Sequence, residues 1–560
     1  MTRQSSLVGV LVALGASAVL ASAQRVLEVP AQYRTIQSAI AAAAASDTVR
    51  VAPGRYPERI DFQGKAITVT SSGGAAVTTI DAGGQGSVAI FATGEGPTSV
   101  LRGFTLIGGQ AASGGGICAS LASPTIHANI LRENRADSGG GIYLLESRAL
   151  VFGNTVMKNS AVWDGAGLVC RGGAPTLIAN RIADNFEVPP GRDLRGGGVA
   201  CRRSAAFVAF NEITGNVGGY AGGGIYCGEC SPTITDNTIA GNWILGSQAT
   251  RLSNEAGGAG IYAEFDSTPV IRNNVIVANT CPYRTYGGGV SLWWAGPHVL
   301  TNNVIAGNRA ESGGGLWVSN AGLVLTNNTI AGNRAGSGGG LDYHGHSVSG
   351  TITNTIFRGN RAATGPEIVT EPTLAIDYSS VEGGKSSVSG TITWGAHMHE
   401  TDPRFVDEAA WDFHLLHPSP CRNAGTAAAP SLPAADFEGD PRAAETAPDI
   451  GADEFFPHLY HAGVPTPGGA IEVRLLGAPG SQALWAFSAD VVTPPRAVPG
   501  RRGLLHLDPA SITVIPIGAF GPSGLLRLPI TFPPSFPRIA IPTQALIGLD
   551  LSNLSWVRLR

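Results

Sequence analysis

Five aromatic residues and a handful of charged ones recur on one beat of this chain. Tyr143, Tyr226, Tyr262, Trp293 and Trp317 offer flat apolar faces, and Arg171, Arg202, Glu264 and His344 offer charge and hydrogen bonds. Sugar rings pack on aromatic faces, and guanidinium groups hold hydroxyls or carboxylates in fixed geometry. A set of this kind laid in a line suits an extended polysaccharide. It also suits a second chemistry, β-elimination or C5 epimerisation of a uronic-acid polymer. Arg171 and Arg202 would then neutralise the substrate carboxylate. Tyr226, Tyr262 and His344 would be the candidates for the base that takes the C5 proton and the acid that meets the leaving oxygen. Glu229, Glu264 and Asp266 would supply oxygen ligands for calcium. On the binding reading no cofactor is expected.

These residues are placed by a repeat. In "GGGLWVSNAGLVLTNNTIAGNRAGSGGG" (313–340) a glycine triplet returns after 25 residues. Small-residue triplets precede an apolar anchor nine times, at Ile117, Ile142, Leu168, Val199, Ile225, Ile261, Val290, Leu316 and Leu341. A first asparagine row runs from Asn129 to Asn328, with Thr355 in its ninth slot. A second row closes each unit, from Asn134 to Asn360. Apolar residues stand three before and two after each member of the first row, as Ile234 and Ile239 do around Asn237. The apolar patches are short and β-branched, which suits strands and not helices. Three strands and three turns per unit predict a solenoid whose coils stack ~4.8 Å apart. Glycine would permit a left-handed or close-packed corner. Asparagine would tolerate the left-handed region at another corner and bond from coil to coil.

In such a coil the residue after each anchor and the residue two further on point outward. That places the aromatic and charged residues on one outer face. Three units carry insertions that would wall this face: "FEVPPGRDLR" (186–195), "WILGSQATRLSNEAG" (243–257) and "TCPYRTYG" (280–287). The row Glu146, Arg171, Arg202, Glu229, Glu264 also reads as plain inter-coil ion pairing, which is worth little when exposed. Cys170, Cys201 and Cys227 fall two residues after their anchors and should stack in the core.

The repeat "GGGIYC…SPTITDNTIAGN" (222–242) resembles right-handed parallel β-helix proteins of the pectin-lyase-like superfamily, of the secreted bacterial type. "VPAQYRTIQSAIAAAAASDTVRVAPGRYPE" (29–58) resembles the entry cap of that group, with a helix expected over 35–45. "FHLLHPSPCRNAG", "DFEGDPR" and "DIGADEF" resemble its closing segment. The resemblance implies the fold. Its superfamily hosts lyases, hydrolases, epimerases and non-enzymatic adhesins, so it does not choose an activity. No Asn-Thr-Asp, paired Asp-Asp or Arg-Ile-Lys motif of the polygalacturonase kind is found, nor a pectate-lyase calcium signature.

The rest of the sequence sets bounds. Charged residues make up only 14 % and the formal net charge is −4, which excludes a general nucleic-acid binder. Arg3, the apolar run 7–20 and Ala21-Ser22-Ala23 read as a signal peptide over 1–23, cut after Ala23, giving an exported protein with no membrane span. Residues 24–455 are expected to form the all-β solenoid with its caps. Residues 456–560, rich in Pro and Gly and lacking the beat, should form a small all-β, sandwich-like domain. The C-terminal β modules it resembles suggest cell-surface association. Three functions stay open at this level: a glycan-binding protein without turnover, a lyase or epimerase, and an adhesin or spacer with a protein partner.

Overall fold

A computed structural model describes residues 24–188, 194–245, 257–281, 285–294, 296–442 and 445–455, and the strand backbones between 458 and 558. The expected signal peptide lies outside the described residues. Within them, no helix is long and apolar enough to cross a membrane.

The repeat winds into a parallel β-solenoid with three short strands per coil. One coil holds Ile225–Gly228, Thr233–Thr235 and Thr238–Ala240. Each pairs in parallel with its counterpart in the next coil, Ile225 with Ile261, Ile234 with Ile271 and Ile239 with Ile276. The third strands alone form a 14-stranded parallel sheet. Ile225, Ile234 and Ile239 are fully buried, and each contributes roughly 2–3 kcal/mol through its burial. Cys170, Cys201 and Cys227 stack in register within the same core.

The glycine corner forms as expected. Gly313 adopts φ +63°, and a Cβ on Gly315 would stand 2.7 Å from the Gly340 carbonyl and 2.9 Å from Asn333 Nδ2. The asparagine corner differs. The left-handed residue is the one before each asparagine, such as Asp236 (φ +58°) or Gly241 (φ +61°). The asparagines instead point inward and form two continuous ladders. Asn274 Oδ1 accepts from the backbone N–H of Asn237 at 3.1 Å and from Asn237 Nδ2 at 3.0 Å, while Asn237 Nδ2 also donates to the Val208 carbonyl at 2.9 Å. Each buried amide is satisfied by its neighbours above and below, which is the condition for burying it.

The solenoid reaches beyond the nine units. Strands Val26–Val29, Thr48–Val51, Thr68–Ser71 and Val100–Arg102 form earlier rungs, and Ile368–Asp377 and Val388–Trp394 later ones. These rungs lack the glycine–asparagine signature, so the beat alone does not announce them. The cap helix is shorter than expected, Ile36–Ala42. Thr35 and Ser38 make a capping box. Lys65 Nζ takes the carbonyls of Ile40, Ala41 and Ala43 and ends the helix there. The closing segment packs along the flank of the third-strand sheet: Phe405, Phe413, Leu415 and Ile450 cover Val277, Val304, Ala306 and Ile356. Buried Arg442 fastens it, donating to Asn302 Oδ1 at 2.9 Å and to three carbonyls of its own segment. Further antiparallel pairs follow toward the C-terminus, among them His458–Ala462 with Ala470–Leu476, and Gln482–Phe487 with Ala540–Ile547.

Candidate functional site

The outer face is a ladder in strict register. Tyr143, Val169, Ala200, Tyr226, Tyr262, Ser291, Trp317 and Asp342 stand one above another, each the residue after its anchor. Two positions further on, Leu145, Arg171, Arg202, Gly228 and Glu264 form the next row, continued beyond them by the rung Trp293, Ser319, His344. All of these lie outside the main core, so the outward direction holds.

The open aromatic stripe does not. Tyr226, Tyr262, Trp317 and Tyr143 are only 0, 1, 4 and 7 % exposed. Tyr220 and Ala221, in the turn ahead of Tyr226, pack against the tyrosines with Val169 and Ala200 as a second small core. The central parts of the three insertions (189–193, 246–256 and 282–284) lie outside the described residues.

The face resolves into two nests. In the first, Glu264 accepts from the hydroxyl of Tyr226 at 2.6 Å and from that of Tyr262 at 3.1 Å. The two rings stack at 6.1 Å. Arg202 lies over the Tyr226 ring at 5.0 Å and pairs with Asp164 at 2.9 Å. Arg195 lies over Tyr220 and Tyr226 at 5.6 and 5.9 Å. Burial, helped by the Glu264 charge, pushes both phenols far above their ordinary range, and burial likewise raises Glu264. Neither tyrosine is a base at neutral pH.

The second nest centres on Trp317. Tyr286 stacks on it at 4.8 Å, Trp293 tilts against it at 4.5 Å, and the His344 ring lies 6.1 Å away. His344 Nε2 stands 2.7 Å from Asp342 Oδ1, and its Nδ1 3.0 Å from Glu371 Oε1. The Asp342 carboxylate, then Glu371, raises the imidazole to about 9 against the opposing effect of burial. Asp342 is fully buried; its Oδ1 faces the His344 imidazole, and its Oδ2 has no hydrogen-bond partner among the described residues. Trp293 Nε1, Trp317 Nε1 and Ser291 Oγ are buried donors with no acceptor among the described residues. Native interiors rarely tolerate such groups, each costing ~1–3 kcal/mol. Tyr286, Trp293 and His344 are half-buried and Glu371 is exposed, so the nest opens to solvent at its rim.

The remaining expected residues do not converge. Arg171 is exposed. His344 lies in the second nest, away from Tyr226, Tyr262 and Arg202, so the five residues of the elimination reading form no single centre. The three acids of the calcium reading likewise have different surroundings. Glu229 is exposed and pairs with Arg203 at 2.7 Å, Asp266 is exposed in a left-handed turn, and Glu264 is buried on the outer face against the tyrosines. Among the described residues one group of metal-ligand types does gather, His414, Glu438 and Asp453. There His414 spends both ring nitrogens on carboxylates, Asp412 at 2.6 Å and Glu438 at 2.7 Å. Burial opposes its charge, but Glu438 and Asp412 raise it well above the ordinary range.

Tyr286, Asp342 and Glu371 were not singled out from sequence. Asp342 sits in the outward row, and its signal was an acid where other units carry aromatic or small residues. Tyr286 and Glu371 belong to turn and strand positions outside the row.

The coils carrying both nests fall within the family model described as the right handed beta helix region, which matches residues 115–253 and 197–381. The chain is a right-handed parallel β-helix repeat protein. No curated protein matches it.

Proposed function

We propose that the tryptophan nest binds a carbohydrate and does not turn it over. The observation that carries this reading is the conjunction of stacked rings with buried polar atoms that no described residue fills: two indole N–H groups and Oδ2 of Asp342. A pyranose edge presents alternating apolar C–H faces and hydroxyls, and so answers both features. Binding is favoured over elimination because the candidate bases are held in their protonated forms at neutral pH, His344 by two carboxylates and the tyrosines by burial beside Glu264. The aromatic site is short, centred on three rings, so the recognised unit is a few sugars within a longer polymer.

The test is a glycan array probed with the protein lacking residues 1–23, with and without calcium, followed by titration of the best ligand. Trp293→Ala and Tyr286→Ala should each weaken retention by about tenfold, the loss of one good contact. Calcium should make no difference. Incubation with polyuronates should produce no ultraviolet absorbance from unsaturated ends. Retention unchanged in both variants, or the appearance of unsaturated ends, overturns the reading.

A further inference from the structure

Four cysteines gather at one place in the solenoid core, and neither nest uses them. Cys170, Cys201 and Cys227 stand in register on three successive rungs, and Cys230 joins them from around the corner. All are free thiols. Cys227 faces the core from the strand Ile225–Gly228, and Glu229 turns the chain through the left-handed region at φ +52°. Cys230 therefore re-enters the same core three residues later, 6 % exposed against 0 % for Cys227. The two thiols hydrogen-bond to each other. Serine holds this corner in the coils on either side. Ser204 Oγ donates to the Gly173 carbonyl at 3.3 Å and Ser267 Oγ to the Cys227 carbonyl at 3.3 Å, as Cys230 Sγ does to the Cys201 carbonyl at 3.3 Å. A hydroxyl would thus serve here. Of the three coils with a cysteine on the strand, the first has Gly173 at the corner and the second Ser204; the third alone has cysteine at both places. The surroundings also make the pair unequal. The contact with Cys227, then the backbone of Ser204 and Gly228 and the Ser267 hydroxyl, hold the Cys230 thiol below the ordinary range against the effect of burial. The same contact, with burial, pushes Cys227 well above it.

We propose that Cys227 and Cys230 are a redox-active dithiol, which a small-molecule disulfide oxidises to a bond stapling this corner of the coil. The Cys230 thiolate attacks one sulfur of the reagent, forming a mixed disulfide and releasing the first reagent thiolate. The Cys227 sulfur gives up its proton and attacks the Cys230 sulfur. That step forms the Cys227–Cys230 bond and releases the second reagent thiolate. One reagent disulfide is reduced to two thiols, which take up the two protons that the protein thiols lose. Cys201 also touches Cys170 on the neighbouring rung, but both residues are fully buried, so neither thiol meets the reagent first. The staple would lie beside the tyrosine nest. Cys227 follows Tyr226, and the Cys230 N–H donates at 3.1 Å to Ser267 Oγ, which donates in turn to the Glu264 carbonyl at 2.5 Å. The proposal is independent of the carbohydrate reading, which uses other residues.

The test is oxidised glutathione followed by peptide mapping. The fully reduced protein is treated in two arms, one folded throughout and one refolded from guanidinium in the same buffer. Remaining thiols are then alkylated in denaturant and the chain is cut with trypsin. Cleavage after Arg203 and Arg251 leaves Cys227 and Cys230 as the only cysteines of peptide 204–251, whereas Cys170 and Cys201 fall on peptides 159–171 and 196–202. Peptide 204–251 should come out unalkylated and two hydrogens lighter, with the other five cysteines alkylated. Cys227→Ala, which places at this position the residue that its register partner Ala263 already is, should instead keep one glutathione on Cys230. Cys230→Ser, which gives the corner the serine of its neighbours, should keep none on Cys227. Four results overturn the proposal: both cysteines alkylated in both arms, a glutathione left on Cys230 of the parent, a link between peptides 159–171 and 196–202 in place of the bond, or no adduct on Cys230 of Cys227→Ala.

Discussion

The tyrosine nest and the tryptophan nest occupy consecutive stretches of one ladder, built on the same strand, the same glycine corner and the same asparagine rows. Their chemistry is opposite. In the tyrosine nest Glu264 receives both phenols and Asp164 receives Arg202, leaving Arg195 Nε, among the described residues, as the one buried side-chain polar atom there without an acceptor. In the tryptophan nest two indole donors, a serine hydroxyl and Oδ2 of Asp342 find no partner among the described residues. The backbone is the same, so the difference lies in whether the outer row supplies a partner. Glu264 does so for Tyr226 and Tyr262. The equivalent places beside Trp317 hold Trp293 and Ser319, which offer Trp317 no acceptor. A repeat scaffold can thus turn a rung into architecture or leave it ready for a ligand by changing one residue in the neighbouring row.

The largest expected effect breaks the satisfied half. Glu264→Ala removes the acceptor of a fully buried phenol and leaves the Tyr226 hydroxyl without one. We expect a loss on the order of 3 kcal/mol, the sum of a lost charged hydrogen bond and a stranded donor. Urea unfolding followed by circular dichroism measures it. A loss below ~1 kcal/mol, the size of an exposed pair, would mean the tyrosine nest is loosely held and no different from its neighbour.

Much of this architecture was legible before the structure. The glycine–asparagine beat gave the register, the inward isoleucines and the cysteine stack, because those depend on residues one coil away in a regular lattice. Burial of Tyr226 and Tyr262 was not legible, because it depends on Tyr220 and Ala221 in an irregular turn with no fixed offset from the anchor. The separate surroundings of the calcium candidates were not legible for a local reason: Asp266 takes a left-handed turn and Glu264 is taken up by two phenols.

A smaller effect sharpens the comparison through pH. His344 sits between Asp342 and Glu371 with its folded value raised to about 9, against roughly 6.5 in an unfolded chain. A raised histidine stabilises fully below its unfolded value, and that contribution is lost as pH rises through the folded one. The difference in urea midpoint between the parent and His344→Gln should therefore be greatest near pH 6 and should shrink between about pH 6.5 and 9. The tyrosine nest supplies the contrast, since no histidine stands among its described residues. A flat profile for His344→Gln would mean that the imidazole is not held between the two carboxylates.

The smallest expected effect is the most discriminating. Ser291 stands in register between Tyr262 and Trp317, at the boundary of the two nests, and its buried hydroxyl has no partner among the described residues. Removing a satisfied buried hydroxyl costs stability, whereas removing an unsatisfied one relieves a desolvation penalty. Ser291→Ala changes little volume, so the sign of the change reports satisfaction directly. We expect stability unchanged or raised by up to ~1 kcal/mol, against a clear loss for Tyr226→Phe, two coils earlier and in the same nest as Tyr262. If Ser291→Ala destabilises the protein as much as Tyr226→Phe does, the hydroxyl has a partner in solution, and the boundary between a closed half and an open half of this face moves at least one rung toward Trp317.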